Sequence, residues 1–115
     1  MKKATEARGP GPLVLFVPSD SVGRGPAELG ELLMGSFFHA LLEIGPKPRT
    51  VLFMNTGVKL VAEGSRVLDD LRALAAQGID LLACGTCLGY FNLKDKVAVG
   101  RISNMYDIAT ALLEA

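Results

Sequence analysis

The sequence predicts an α/β domain of three layers, with a mostly parallel sheet and helices on both faces. Three observations point there. Four short apolar runs, Leu13–Val17, Val51–Met54, Ile79–Cys84 and Val97–Val99, are separated by longer stretches of helical periodicity. The first three lack polar alternation, as strands buried on both faces of a parallel sheet do. Strand–helix alternation of this kind is the pattern of helices layered on a parallel sheet, with right-handed crossovers.

Residues 1–12 are polar, charged and rich in Gly and Pro, and read as a disordered lead-in or linker ahead of a domain spanning 13–115. The run at 13–17 is the first strand. A helix should begin near Pro26, with Glu28 and Glu31 suited to its positive end, and should stop at Gly45-Pro46. Its expected core stripe is Leu29, Leu33, Phe37, Ala40, Leu41 and Ile44. A second stripe, Met34, Phe38 and Leu42, exceeds what one sheet face can easily cover and marks either a candidate subunit interface or a face covered by a loop. The second strand follows at 51–54. The next helix runs from Glu63 or Gly64 to Gln77, with Val67, Leu68, Leu71, Leu74 and Ala75 inward and Gly78 as its C-terminal stop. The third strand is 79–84, and Val97–Val99 reads as a short edge strand. The last helix starts at a Ser103 or Asn104 cap and turns Met105, Ile108, Ala109 and Leu112 to the core.

Composition narrows the function. Of the 115 residues half are hydrophobic, and twelve basic residues balance twelve acidic ones. A neutral chain with no basic block offers no electrostatic reason to bind nucleic acid, and a neutral surface favours a homo-oligomer. No apolar run approaches the roughly 18 residues of a membrane span, and Leu13–Val17 is too short for a secretory signal. The expectation is therefore a cytoplasmic protein with no membrane partner. In that reducing setting two cysteines read as reactive or metal-binding rather than as a structural staple.

In sheets of this type ligands bind beyond the carboxyl ends of the strands. That rule selects Ser19-Asp20-Ser21, Asn55-Thr56-Gly57 and Cys84-Gly85-Thr86-Cys87. The last is a CxxC at the end of a buried strand, opening a short helical turn. Backbone N–H groups at a helix start favour a thiolate, and Gly85 leaves room for a sharp turn. Such a thiolate attacks a disulfide, accepts sulfur as a persulfide or binds a metal; the bland alternative is a buried core cysteine. Lys59 would stabilise an anionic sulfur, or is an ordinary surface lysine. Asp20 and Asn55 would bond a ligand, or merely close turns. His39 falls on the polar side of the first helix, so two cysteines and one histidine make a poor zinc set, and no metal or other cofactor is expected. Gly23-Arg24-Gly25 has the spacing of neither nucleotide fingerprint, although Arg24 sits where a helix start could meet an anion.

Several segments taken together resemble a known family: Ser19-Asp20 with Gly23-Arg24-Gly25, Glu28-Leu29-Gly30 with Leu33-Met34, the run from Phe53 to Leu60, Glu63-Gly64-Ser65, Cys84 to Leu88, and Ser103 to Asp107. They resemble the DsrE-like domain of YedF-type selenium-metabolism proteins, within the DsrE/DsrF-like sulfur-relay superfamily. The resemblance implies a flavodoxin-like fold, homo-oligomeric assembly, and sulfur carried as a cysteine persulfide. Cys84 matches the family's sulfur-carrying cysteine, and Cys87 the second cysteine of the YedF-type motif. Ser19, Asp20, Asn55, Gly57, Lys59, Gly85 and Thr86 would line the substrate site. YedF-type proteins carry a TusA-like domain ahead of this one. Only the polar lead-in stands there in this sequence, so either the chain is a fragment of something longer or a TusA-like or other protein supplies the sulfur. Two other readings stay open: a CxxC thiol–disulfide redox or sensor protein, and a non-enzymatic oligomeric binding module.

Overall fold

A computed structural model describes residues 12–115, so the expected lead-in lies outside the described residues except for Pro12. Four strands, β1 (Val14–Val17), β2 (Thr50–Phe53), β3 (Asp80–Cys84) and β4 (Arg101–Ser103), form one fully parallel sheet in the order β1-β2-β3-β4. The helices are α1 (Ala27–Glu43), α2 (Leu68–Ala76), α3 (Gly85–Tyr90) and α4 (Met105–Leu113), with 3-10 turns over Asn55–Val61 and Lys94–Lys96. This is an α/β fold with a parallel sheet flanked by helices, as expected. No helix among the described residues is long and apolar enough to cross a membrane.

Register assigns the faces. Val17, Phe53, Ala83 and Ile102 pair across the sheet and share one side, and Phe16, Leu52, Leu82 and Arg101 share the other. Phe38 of α1 lies against Phe53, with ring centroids 6.2 Å apart, so α1 covers the first side. Leu52 and Leu82, on the second, are buried too, and α4 packs against β3. With strands in sequential order, right-handed crossovers bring α1 and α2 to the same face. The two helices do pack together, and His39 Nδ1 meets Asp70 Oδ2 at 3.4 Å across them.

The helix α1 corrects the expectation. Gly30, Met34, Phe38 and Leu41 are its buried residues, while Leu29, Leu33, Phe37 and Ile44 are exposed. The stripe read as a subunit interface is the core, and most of the stripe read as core faces outward. The cause is Gly30. A β-carbon there would stand 1.8 Å from Ser21 Oγ and 3.0 Å from Val22 O, and Val22 N–H donates to Gly30 O at 3.1 Å. The loop after β1 presses on the glycine, and that contact sets which face of the helix points inward.

The edge strand also moves. Val97–Val99 is half-buried but pairs away from the sheet, through an isolated antiparallel bridge between Val97 and Ala62. Glu63 N–H donates to Lys96 O and Ala98 N–H to Val61 O. Gly100, at φ 78°, then passes so close to β3 that a β-carbon would sit 2.7 Å from Leu81 O. Only past this glycine does the chain enter the sheet, as Arg101–Ser103.

The remaining elements differ in smaller ways. Helix α2 starts at Leu68 rather than near Glu63, because Ser65 Oγ accepts from Val67 N–H in a preceding turn; its stop at Gly78, with φ 95°, is as expected. In α4 Ile108 is buried and Ala109 half-buried, whereas Met105 and Leu112 are exposed.

Candidate functional site

All four strands run the same way, so their carboxyl ends share one edge of the sheet. Three loops meet there through specific bonds. Met54 N–H donates to Val17 O at 3.0 Å and Asp20 N–H to Thr56 Oγ1 at 3.2 Å. Gly57 tucks under the end of β1, where a β-carbon would lie 2.2 Å from Val17 O. No other residue fits that position without moving the loop.

The cysteine loop joins them through sulfur. Cys84 ends β3, is 2 % exposed and sits just ahead of α3; Cys87 is the third residue of that helix and is half-buried. Asn55 N–H donates to Cys87 Sγ at 3.1 Å. Asn55 takes a left-handed backbone, φ 52°, which asparagine tolerates better than most residues. Its observed contribution is therefore a backbone donor rather than its amide side chain. Both cysteines are free, and Cys84 is near enough to Cys87 to raise its pKa.

The electrostatics of Cys87 differ from the expected activated thiol. Burial pushes its pKa up, the Asn55 N–H pulls it down, and the neighbouring Cys84 adds a further rise; the net direction is upward. Helix α3 is only 6 residues long, and burial outweighs the Asn55 donor.

The other expected residues are placed as follows. Ser19 Oγ accepts from Ser21 N–H at 3.1 Å and closes its own turn. Lys59 is exposed, with Nζ 4.8 Å from the centroid of the Phe91 ring. With Asp20, Glu63, Arg66 and Leu93 these two residues line a cleft of about 500 Å³ that neither cysteine lines. The cleft is linked to the thiols through α3, since Phe91 N–H donates to Cys87 O at the end of that helix. Thr86 is exposed. Gly85 faces β4, where a β-carbon would meet Ser103 O at 3.0 Å and Ile102 Cγ2 at 3.2 Å. Arg24 lines a separate, apolar cleft with Phe16, Val22 and Phe37. Among the described residues no three His, Cys, Asp or Glu side chains gather as a metal-ligand set.

Sequence reasoning missed two neighbours of the site. Phe91 supplies the surface under Lys59, and an aromatic four residues after Cys87 on a helix was the available signal. Ser103 pairs in register with Cys84, and only the true position of β4 reveals that.

Comparison with known proteins agrees with this architecture. The crystal structure of the ychN protein from E. coli superposes with a TM-score of 0.67 at 17% sequence identity, covering 90% of this chain and 93% of that one. At that identity the likeness establishes the fold. No curated protein sequence matches the chain significantly. The model of the DsrE/DsrF-like family matches residues 31–115, nearly three-quarters of the sequence and including α3 with both cysteines, and the chain belongs to that family.

Proposed function

We propose that the protein is a sulfur-transfer domain that carries sulfur as a persulfide on Cys84, with Cys87 as the resolving thiol. The observation that carries this reading is the pair of free, adjacent thiols at the carboxyl edge of a parallel sheet, with Asn55 N–H on Cys87 Sγ. The Cys84 thiolate attacks the outer sulfur of a donor persulfide. A new S–S bond forms at Cys84, the donor's S–S bond breaks, and the donor leaves as a thiolate. An acceptor thiolate then takes the outer sulfur and returns Cys84 to thiolate. Alternatively Cys87 attacks Cys84 Sγ, which forms the Cys84–Cys87 disulfide and expels hydrosulfide.

In this reading the N–H groups of Gly85 and Thr86 stabilise charge developing on sulfur. Asp20 and Lys59 receive the polar part of the incoming partner, and Ser19 and Gly57 shape the loop floor. The donor is a TusA-like or other sulfur-carrying protein of the reducing cytoplasm. Selenium, which the YedF-type resemblance adds as cargo, would follow the same displacement.

Intact mass after incubation with a persulfide donor tests this, on wild type, Cys84→Ser and Cys87→Ser. One added sulfur that disappears with Cys84→Ser and survives Cys87→Ser is the expected result. A gain lost only with Cys87→Ser would exchange the two roles. The adjacency of the thiols also supports a redox reading. Loss of two hydrogens in wild type, abolished by either substitution and with no sulfur gained, would favour it over the carrier.

Assembly belongs to the same proposal. Phe16, Val22, Leu29, Leu33 and Phe37 are exposed large apolar residues, and Phe16, Val22 and Phe37 also line an apolar cleft of about 550 Å³. A neutral chain with so much apolar surface on one side is built to bury it against another copy. Sedimentation should show a homo-oligomer that Phe37→Asp dissociates; a monomer at every concentration would overturn this.

A further inference from the structure

We infer that Ser103 is a hydrogen-bond donor to the sulfur of Cys84, engaged when that sulfur is ionised or loaded. The inference rests on the reading of Cys84 as the reacting thiol. Ser103 ends β4 and is the register partner of Cys84 at the end of β3. Paired residues on neighbouring parallel strands, about 4.8 Å apart, project from the same face of the sheet. The Ser103 and Cys84 side chains therefore leave the same face of the sheet from neighbouring strands.

Two further facts single out this hydroxyl. Ser103 is 8 % exposed, and its Oγ is the one buried side-chain polar atom among the described residues with no hydrogen-bond partner. A buried hydroxyl left unpaired gives up its hydration with nothing in return, so such an exception calls for a partner. The obvious structural duty, capping α4, falls to Asn104, whose Oδ1 accepts from Asp107 N–H at 2.9 Å. Ser103 is thus free of the cap, and one rotation about χ1 redirects its hydroxyl. A neutral thiol is a weak acceptor, whereas a thiolate or persulfide anion is a strong one. Ionisation or loading of Cys84 supplies the partner that Ser103 lacks.

The geometry of the loop keeps the pair together. Ser103 O lies 3.0 Å from where a Gly85 β-carbon would stand, so the start of α3 rests on Ser103 itself. Cys87 of α3 is the titratable group nearest Cys84 in the chain. Of the others nearby, Asp80 of β3 is paired with Arg101 of β4, and Asp107 of α4 is bonded to Asn104. A Cys87→Ser background removes the first influence and leaves the others unchanged.

In that background the rate of Cys84 alkylation is measured against pH for the native serine, Ser103→Ala and Ser103→Thr. Loss of the hydroxyl should raise the midpoint by about one pH unit, roughly tenfold less thiolate at a fixed pH below it, and threonine should restore it. The unfolding temperature of Ser103→Ala should stay level or rise, because an unpaired hydroxyl has been removed from the interior. An unchanged midpoint, or a shift that threonine fails to restore, overturns the inference. The persulfide mass assay separates the two readings. Sulfur gain on Cys84 with no midpoint shift in Ser103→Ala leaves the carrier standing without the hydrogen bond. A midpoint shift with no sulfur gain leaves the hydrogen bond standing on a thiol of another use.

Discussion

Helices α1 and α2 lie side by side on the sheet, yet only α2 could be oriented from its sequence. In α2, Leu71 and Leu74 are buried and Asp69, Arg72 and Gln77 are exposed, so polarity itself divides the faces. In α1, apolar residues occupy 27, 29, 32, 33, 34, 37, 38, 40, 41 and 42, and nearly every direction around the axis is apolar. Periodicity then fixes that a helix exists but leaves its rotation open. A contact decides it, the loop after β1 resting on Gly30. A helix with two apolar faces also has one left over, and in this protein the leftover face is the outer one.

The largest effect that would break this comparison is at adjacent phenylalanines. Phe38 is fully buried against Phe53, whereas Phe37 is 42 % exposed. Phe38→Ala should cost about 3–5 kcal/mol in urea unfolding. Phe37→Ala should cost less than about 1 kcal/mol once the chain is studied as a monomer. Equal losses would mean the rotation of α1 is wrong. The next effect tests the cause. Gly30→Val should destabilise by about 1–3 kcal/mol, since the new side chain meets Ser21 and the Val22 carbonyl. The same change at Gly35, which has nothing within 4 Å of its β-carbon position, should leave stability level or slightly higher, because valine is a better helix former than glycine. Similar losses at both glycines would remove Gly30 as the determinant.

The smallest effect concerns pH and sharpens the contrast between the buried sheet edge and the exposed outer face. Burial and Cys84 hold the Cys87 thiol protonated to higher pH in the fold than in the unfolded chain. Its contribution to stability is therefore complete below the unfolded thiol's pKa, near 8.5, and is lost as pH rises through the higher folded value. The wild type should lose stability above that point faster than Cys87→Ser in chemical unfolding under reducing conditions. Identical pH profiles would show that Cys87 is less desolvated than its place beside Asn55 implies.

Much of the site was legible because its parts are local in sequence. A CxxC at the end of an apolar strand, and the polar loops after two other strands, could be located from position alone, given that parallel strands end together. What each residue does there was less legible. Asn55 meets Cys87 Sγ through its backbone N–H, from a left-handed φ, Ser19 is engaged in its own turn, and Lys59 lies over Phe91. The edge strand was misplaced because Val97–Val99 has the stronger strand composition. Gly100 and the bridge to Ala62 divert that segment and admit Arg101–Ser103 instead.

By itself, then, the sequence determined the alternation of strands and helices, the one-sided packing of α2, a cap at Ser103 or Asn104, the stop at Gly78, and the place of the two thiols. These follow from patterns within a dozen residues, where polarity, glycine and capping side chains act on the nearby backbone. Only the tertiary structure decided the rotation of α1, the identity of β4, the donor on Cys87 and the pairing of Ser103 with Cys84. Each of these depends on a contact between residues far apart in the chain. Such contacts are chosen by close packing and by the need to satisfy buried polar groups, neither of which any local pattern encodes.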